Sequence, residues 1–260
     1  MRHGPAPGGG TTQTVRRVVQ ILKAFDGSHT LGIADLASRT GVPRSSVHRI
    51  VRALVEEELL TQDADSRRYE RSLGVAELGA GTLRANGIRN ASRPVLLETR
   101  SRTNESVHLG VLEHLDVVII DTADSHYFVR EVTVPGQRLP AHAVSTGKVL
   151  LAHQGEVALR RWLERGPLPG FTAHTLTDPE LLLEELRQVR AQGYAVSVGE
   201  LEDGIAGVAA PIFVRGWTVA AAVSVGGPLA RFAQHRDELV AAVCDAGRAA
   251  TAALWQLGWS

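Results

Sequence analysis

The 260-residue sequence predicts an α+β protein with an amino-terminal winged helix-turn-helix, a linker helix and a carboxy-terminal domain on an antiparallel sheet. Three observations point there. Two short helical patterns flank Gly41 and run directly into an Arg-rich hairpin. Beyond about residue 103 the apolar period changes from that of a helix to that of a strand. The later strands and helices lack the regular βαβ alternation of a parallel sheet.

The Gly/Pro-rich start, RHGPAPGGG, lacks the apolar stretch of a signal peptide, so residues 1–13 are read as a disordered tail. Residues 14–25 then form a helix with Val15, Val18, Val19, Leu22 and Phe25 on one face. A second helix spans 34–40, Gly41 permits the turn, and Pro43 suits the first position of a third helix because its missing N–H is an orphan there. In that third helix Val47, Ile50, Val51 and Leu54 recur at the spacing of a buried face. Arg44, Ser45, Ser46, His48, Arg49 and Arg52 are left outside. Hydroxyls, a ring and forked donors on the first turns of a helix are the groups that reach base edges and phosphates in a major groove. An ordinary antiparallel helix pair with solvated polar residues fits the same period. The next segment favours the DNA reading: residues 59–62 form a strand, 63–66 (DADS) a turn, and 67–71 a returning strand. Arg67 and Arg68 on such a wing can neutralise backbone phosphates, although most Arg-rich turns are only charged surface. Residues 14–72 are therefore read as the DNA-binding domain.

Residues 73–87, rich in Ala, Leu and Gly, read as a linker helix, and 88–260 as a second domain. There a helix over 88–103 is bent or started at Pro94. Val107, Leu109 and Val111 alternate with polar or small residues, and 117–120, 129–134 and 218–225 also read as strands. Helices are predicted at 146–153, 156–164, 179–192 and 229–256.

Net charge is zero overall, but residues 1–71 hold 11 basic against 8 acidic side chains and residues 72–260 hold 17 against 20. Only the amino-terminal part has a claim on a polyanion, and it is modest. A single cysteine, Cys244, excludes an internal disulfide and any multi-cysteine zinc site, which suits the cytoplasm. No apolar run approaches the roughly 18 residues of a membrane helix. His108, His114, His126, His142, His153 and His174 lack metal-ligand spacing, so no metal or cofactor is expected. His142, Ser145 and Lys148 lie close together, as in some hydrolases, but no G-x-S-x-G turn frames Ser145. A serine at a helix start is usually a cap, so no catalytic residue is assigned. A sensor acting only through protein partners would leave the exposed Arg and Ser of the third helix without a task.

Four segments in order, GVPRSSVHRIVRALVEEELL, GQRLPAHAVSTGKVLLA, GYAVSVGELEDGIAGVAAPIF and AAAVSVGGP, together resemble IclR-type bacterial transcriptional regulators. The resemblance runs from about residue 14 to the end. It implies a GAF-like effector-binding domain after the linker, binding to double-stranded operator DNA of two-fold symmetry, and a homodimer or tetramer. It also implies a small organic effector whose carboxylate meets the loop at Ser145 and Thr146. Independently of the resemblance, these residues start a helix, where free N–H groups and partial positive charge receive anions. The resemblance places Ser197, Gly207, Ser224 and Gly226 in the pocket lining, with Phe128, Glu131 and Leu139 as further wall positions. The two glycines are equally explained by close strand packing. Where many members carry an acidic pair, this chain has Val198 and Gly199 before Glu200, and Gly207 stands where they carry a cysteine. The pocket is thus expected to lose a polar grip and gain space, favouring an aromatic or longer organic acid. An inward-facing Glu131 would disfavour a simple carboxylate at its end or call for a protonated or hydroxylated partner.

Overall fold

The computed structural model describes residues 9–258 except 27, 86, 165 and 215–217. Contacts divide the chain into two units, residues 1–85 and 86–260. Among the described residues no helix is long and apolar enough to cross a membrane.

In the first unit α1 (Gly9–Lys23), α2 (Ile33–Thr40) and α3 (Arg44–Glu56) enclose a core of Ile21, Phe25, Leu36, Val47, Ile50, Val51 and Leu54. Helix α1 begins at Gly9, so residues 9–13 belong to a helix instead of the expected tail; residues 1–8 lie outside the described residues. The buried face of α1 also differs from the expected one. Only its last turns reach the core, through Ile21 with Val18 and Leu22, while Val15 and Val19 are exposed. Gly41 adopts φ +68° and its N–H closes α2 on the Ala37 carbonyl at 2.9 Å, a left-handed cap that glycine adopts without strain. Pro43 is the residue before α3, extended at ψ 139°, and not its first helical position: its carbonyl accepts the Val47 N–H at 3.0 Å. The hairpin pairs β1 (Leu60–Gln62) with β2 (Tyr69–Arg71), and Tyr69 also pairs with Leu31. Arg67, read as strand, lies in the turn at φ +56° because the Asp63 carboxylate draws the Ser66 N–H and hydroxyl inward at 2.7 and 2.6 Å. Helix α4 (Leu73–Ala85) follows.

The second unit is a six-stranded antiparallel sheet in the order β5 (Arg138–Pro140), β4 (Asp116–Ala123), β3 (Ser106–Glu113), β8 (Val219–Pro228), β7 (Ile205–Phe213), β6 (Ala195–Val198). One face carries Val107, Leu109, Val208, Ile212, Val223 and Val225 against α5 (Gly87–Thr103) and α9 (Leu229–Gln256). Helix α5 runs unbroken through Pro94, so the expected start there is not seen. The other face is covered by α6 (Ser145–Ala152), α7 (Glu156–Leu163) and α8 (Pro179–Gln192), with Leu150, Leu182 and Leu186 packed on Ile119, Ala209 and Ala222. Asp178 caps α8 by accepting the Glu180 and Leu181 N–H groups. Residues 129–134, read as a strand, are instead part of the loop 124–137, with Val129, Val132 and Val134 exposed. The edge of β4 that such a strand would need is taken by β5.

Candidate functional site

In the first unit α3 presents Arg44, Ser45, His48, Arg49 and Arg52 to solvent, with Ser46 half-buried. Arg52 is paired along the helix with Glu56 at 3.0 Å. The hairpin arginines divide. Arg67 is exposed, and among the described residues its guanidinium has no partner. Arg68, expected on phosphates, is half-buried and folded back onto the start of α2: it donates to Asp35 at 2.8 Å and to the Thr30 carbonyl and hydroxyl at 3.1 and 3.2 Å. The Gly32 N–H and then Arg68 hold the Asp35 carboxyl below the usual carboxylate range. Arg68 thus fastens the wing to the helix pair.

The second unit holds a cavity of about 200 Å³ between the sheet, α6 and the loop 124–137. Its floor follows from strand register. Ser197, Gly207, Gly226 and Ser106 are successive partners across β6, β7, β8 and β3 and share one face. Two residues along, Ser224 and His108 are partners on the same face. Small and polar residues therefore occupy a face that is otherwise apolar and helix-covered, and a hollow results. The two serines of the first row hold opposite walls. Ser197 Oγ accepts the Ser145 N–H at 3.2 Å, fixing the start of α6, and Ser106 Oγ donates to the Glu131 carbonyl at 2.7 Å, fixing the loop.

Of the expected wall residues, Ser145, Thr146, Ser197, Gly207, Ser224, Gly226, Glu131 and Leu139 line this cavity. Phe128 does not. It is 97% exposed, because the loop turns the neighbouring Tyr127 ring under Arg231 at 4.3 Å and Phe128 outward. Gly207 leaves less room than expected: a Cβ there would lie 3.3 Å from both Ser145 Oγ and the Val225 carbonyl, so the glycine serves close approach of β7 to α6. The Ser145 N–H is already taken by Ser197 Oγ, and among the described residues the Thr146 N–H has no backbone partner outside α6. Glu131 does face inward, its carboxylate filling the space above Gly226 that a Cβ would occupy.

His108, Thr133 and Gln137 also line the cavity and were not singled out from the sequence. His108 lies at an alternate position between two core residues, which looks solvent-facing until α6 and the loop are known to cover that side. Its Nδ1 is hydrogen-bonded to Thr133 Oγ1 at 2.7 Å. The would-be catalytic group disperses. His142 Nε2 donates to the Pro169 carbonyl at 2.9 Å, and burial, outweighing that bond, pushes its pKa down. Lys148 is 1% exposed and bonds Glu185 and Glu200 at 2.7 and 2.5 Å. Burial pushes the Glu200 carboxyl up, against the pull of Lys148.

Residues 14–64 match the IclR helix-turn-helix domain model, and residues 80–252 match that of the bacterial transcriptional regulator IclR C-terminal domain. The chain belongs to the IclR family. It is 33% identical over 240 residues to the HTH-type transcriptional regulator BhcR of Paracoccus denitrificans, covering 92% of this chain and 86% of that one. It is 32% identical over 250 residues to the regulator KdgR of Escherichia coli, covering 96% and 94%. Among solved structures, an IclR homolog complexed with 4-hydroxybenzoate from Microbacterium hydrocarbonoxydans superposes with TM-score 0.81 at 29% identity, covering 94% of this chain and 99% of that one. An IclR transcriptional regulator from Alicyclobacillus acidocaldarius gives 0.81 at 27%, covering 93% and 98%. This IclR-family chain is thus a transcriptional regulator with a DNA-binding helix-turn-helix domain, and these relatives are regulators, not enzymes.

Proposed function

We propose that this IclR-family regulator binds a two-fold symmetric operator as a dimer, and that a small organic acid in the second unit modulates its affinity. The observation that carries the effector reading is the first turn of α6, whose Ser145 and Thr146 line the cavity over the glycine and serine floor. A helix start offers free donors and partial positive charge, so the acid's carboxylate belongs there. The 4-hydroxybenzoate complex of the Microbacterium homolog supports a one-ring or similarly compact acid. On the DNA side, Arg44, Ser45, Ser46, His48 and Arg49 read or contact the major groove, and Arg67 contacts phosphate.

A ligand changes operator affinity only if it prefers one of two arrangements of the dimer, and coupling of about 1–3 kcal/mol is the usual scale. The test pairs gel shifts on the DNA upstream of the chain's own gene with thermal shifts of the full chain in a set of organic acids. Acids that stabilise the chain should also change operator affinity, and Thr146→Pro should abolish both effects. Stabilisation that leaves DNA binding untouched would defeat the regulatory reading.

A further inference from the structure

Resting on that effector reading, we infer that the ligand carries a hydrogen-bond donor, a hydroxyl or an ammonium group, at the end away from its anionic group, and that Glu131 and His108 receive it. The ligand class is then a compact hydroxy acid or amino acid and not an unsubstituted monocarboxylate. The Glu131 carboxylate is built into the cavity. Its backbone is tied to Ser106, and the loop before it is clasped by Arg231, which donates to the Val129 carbonyl at 3.0 Å and lies over the Tyr127 ring. Glu105 holds Arg231 in turn, through bonds of 2.5 and 2.7 Å. Gly226 leaves the volume that the carboxylate fills, since a Cβ there would lie 1.7 Å from Glu131 Oε2.

His108 has a side chain only 4% exposed, and its Nε2 is buried without a hydrogen-bond partner, 3.6 Å from Glu131 Oε2. That separation is too long for a good hydrogen bond between them, so the buried Nε2 stays unsatisfied beside the Glu131 carboxylate. A hydroxyl both donates and accepts, and can therefore serve a carboxylate and an imidazole nitrogen together; an ammonium can serve the carboxylate. An apolar ligand end would leave the pair buried and unsatisfied, and a second carboxylate would face the charge of Glu131. The two ends are close. Gly207, beside Ser145 Oγ, and Gly226, beneath Glu131, are direct register partners, about 5 Å apart in such a pair. One molecule of a ring or a few carbons can address both.

The experiment is isothermal calorimetry on the full chain with matched probes: benzoate against 3- and 4-hydroxybenzoate and 4-aminobenzoate, and butyrate against 4-hydroxybutyrate and 4-aminobutyrate. At least one donor-bearing acid should bind about ten- to a hundredfold more tightly than its parent, the range expected when a hydrogen bond to a charged group is lost. Glu131→Leu and, separately, His108→Phe should shrink that difference while the parent acid's weaker binding persists. Equal affinity of parent and substituted acids, a preference that survives both variants, or silence from every donor-bearing acid would overturn the inference. A parent acid whose binding is lost with Thr146→Pro, yet which shows no donor preference, would defeat the donor inference and leave the effector site standing. Binding indifferent to Thr146→Pro would instead remove the site itself.

Discussion

Arg67 and Arg68 are neighbours in sequence and do different work. Arg67, exposed at φ +56° on the hairpin tip, is free to meet a phosphate, whereas Arg68 turns back to Asp35 and Thr30. Arg67→Ala should weaken binding on all DNA sequences and lower the salt slope by about one unit, as loss of one phosphate contact does. Arg68→Ala should leave that slope nearly unchanged and lower stability only slightly, since its ion pair is partly exposed. Fluorescence anisotropy against salt, beside a denaturant melt, separates the two, and a slope change in Arg68→Ala would return it to the phosphate backbone. Arg49→Ala should cost about 1–3 kcal/mol at the operator and much less on random DNA if it holds a guanine edge. Equal loss on both would make it a phosphate contact. His142 and His153 have a different signature. Burial lowers both pKa values, so the native state keeps them neutral where the unfolded chain, near the ordinary imidazole value of about 6.5, begins to protonate. The unfolded state then binds more protons, and stability that is full above about pH 6.5 falls as pH drops below it. Melting temperatures recorded from pH 7.5 to 5.5 should show that decline, reduced in His142→Gln; a flat profile in the wild type would refute it.

At the scale of elements, legibility tracked whether an element's neighbours were implied by its own pattern. Helix α3 declared its buried face because Val47, Ile50, Val51 and Leu54 meet one core, and α8 matched its predicted bounds between the Asp178 cap and Gly193. Strand β7 was not read as one because IAGVAAPIF is buried on both faces and so does not alternate. Residues 129–134 alternate well and are a loop, since pairing depends on a partner edge that no local pattern reveals. The pocket followed the same rule. Its floor residues were marked by resemblance, but His108 and Thr133 depend on loop 124–137 folding over β3, a non-local event. Lys148 shows how the helical wall is fixed. Its ammonium joins α6 to Glu185 of α8 and to Glu200 in the β6–β7 connection. Lys148→Met should destabilise the unit by about 3–5 kcal/mol by stranding two carboxylates, one of them buried. Adding Glu200→Gln should recover part of that loss. A urea titration showing independent, additive costs would mean that the pair is not coupled.

At the scale of the whole molecule the proposed operator binding calls for pairing, because one winged module buries only about 600–1,000 Å² on DNA and a specific operator complex typically needs more. The first unit carries apolar side chains its own core does not cover: Leu73 is 81% and Leu78 70% exposed on α4, and Val15 and Val19 are exposed on α1. Large apolar groups left in water on two helices of one small unit are what a second copy would bury, and a stable interface should clear about 1,000 Å². The full chain should therefore run as a dimer or larger at micromolar concentration. Leu73→Glu with Leu78→Glu should shift it toward the 27.9 kDa monomer. Because these side chains lie outside the core, the melting temperature of the variant at high dilution should match that of the wild type under the same conditions. Operator affinity should fall far more than affinity for a half-site, since only the two-fold site uses the symmetry. Sedimentation velocity decides the point: a wild-type chain that sediments as a monomer at ten micromolar, or a double variant that still dimerises and binds the full operator, would place the pairing surface elsewhere.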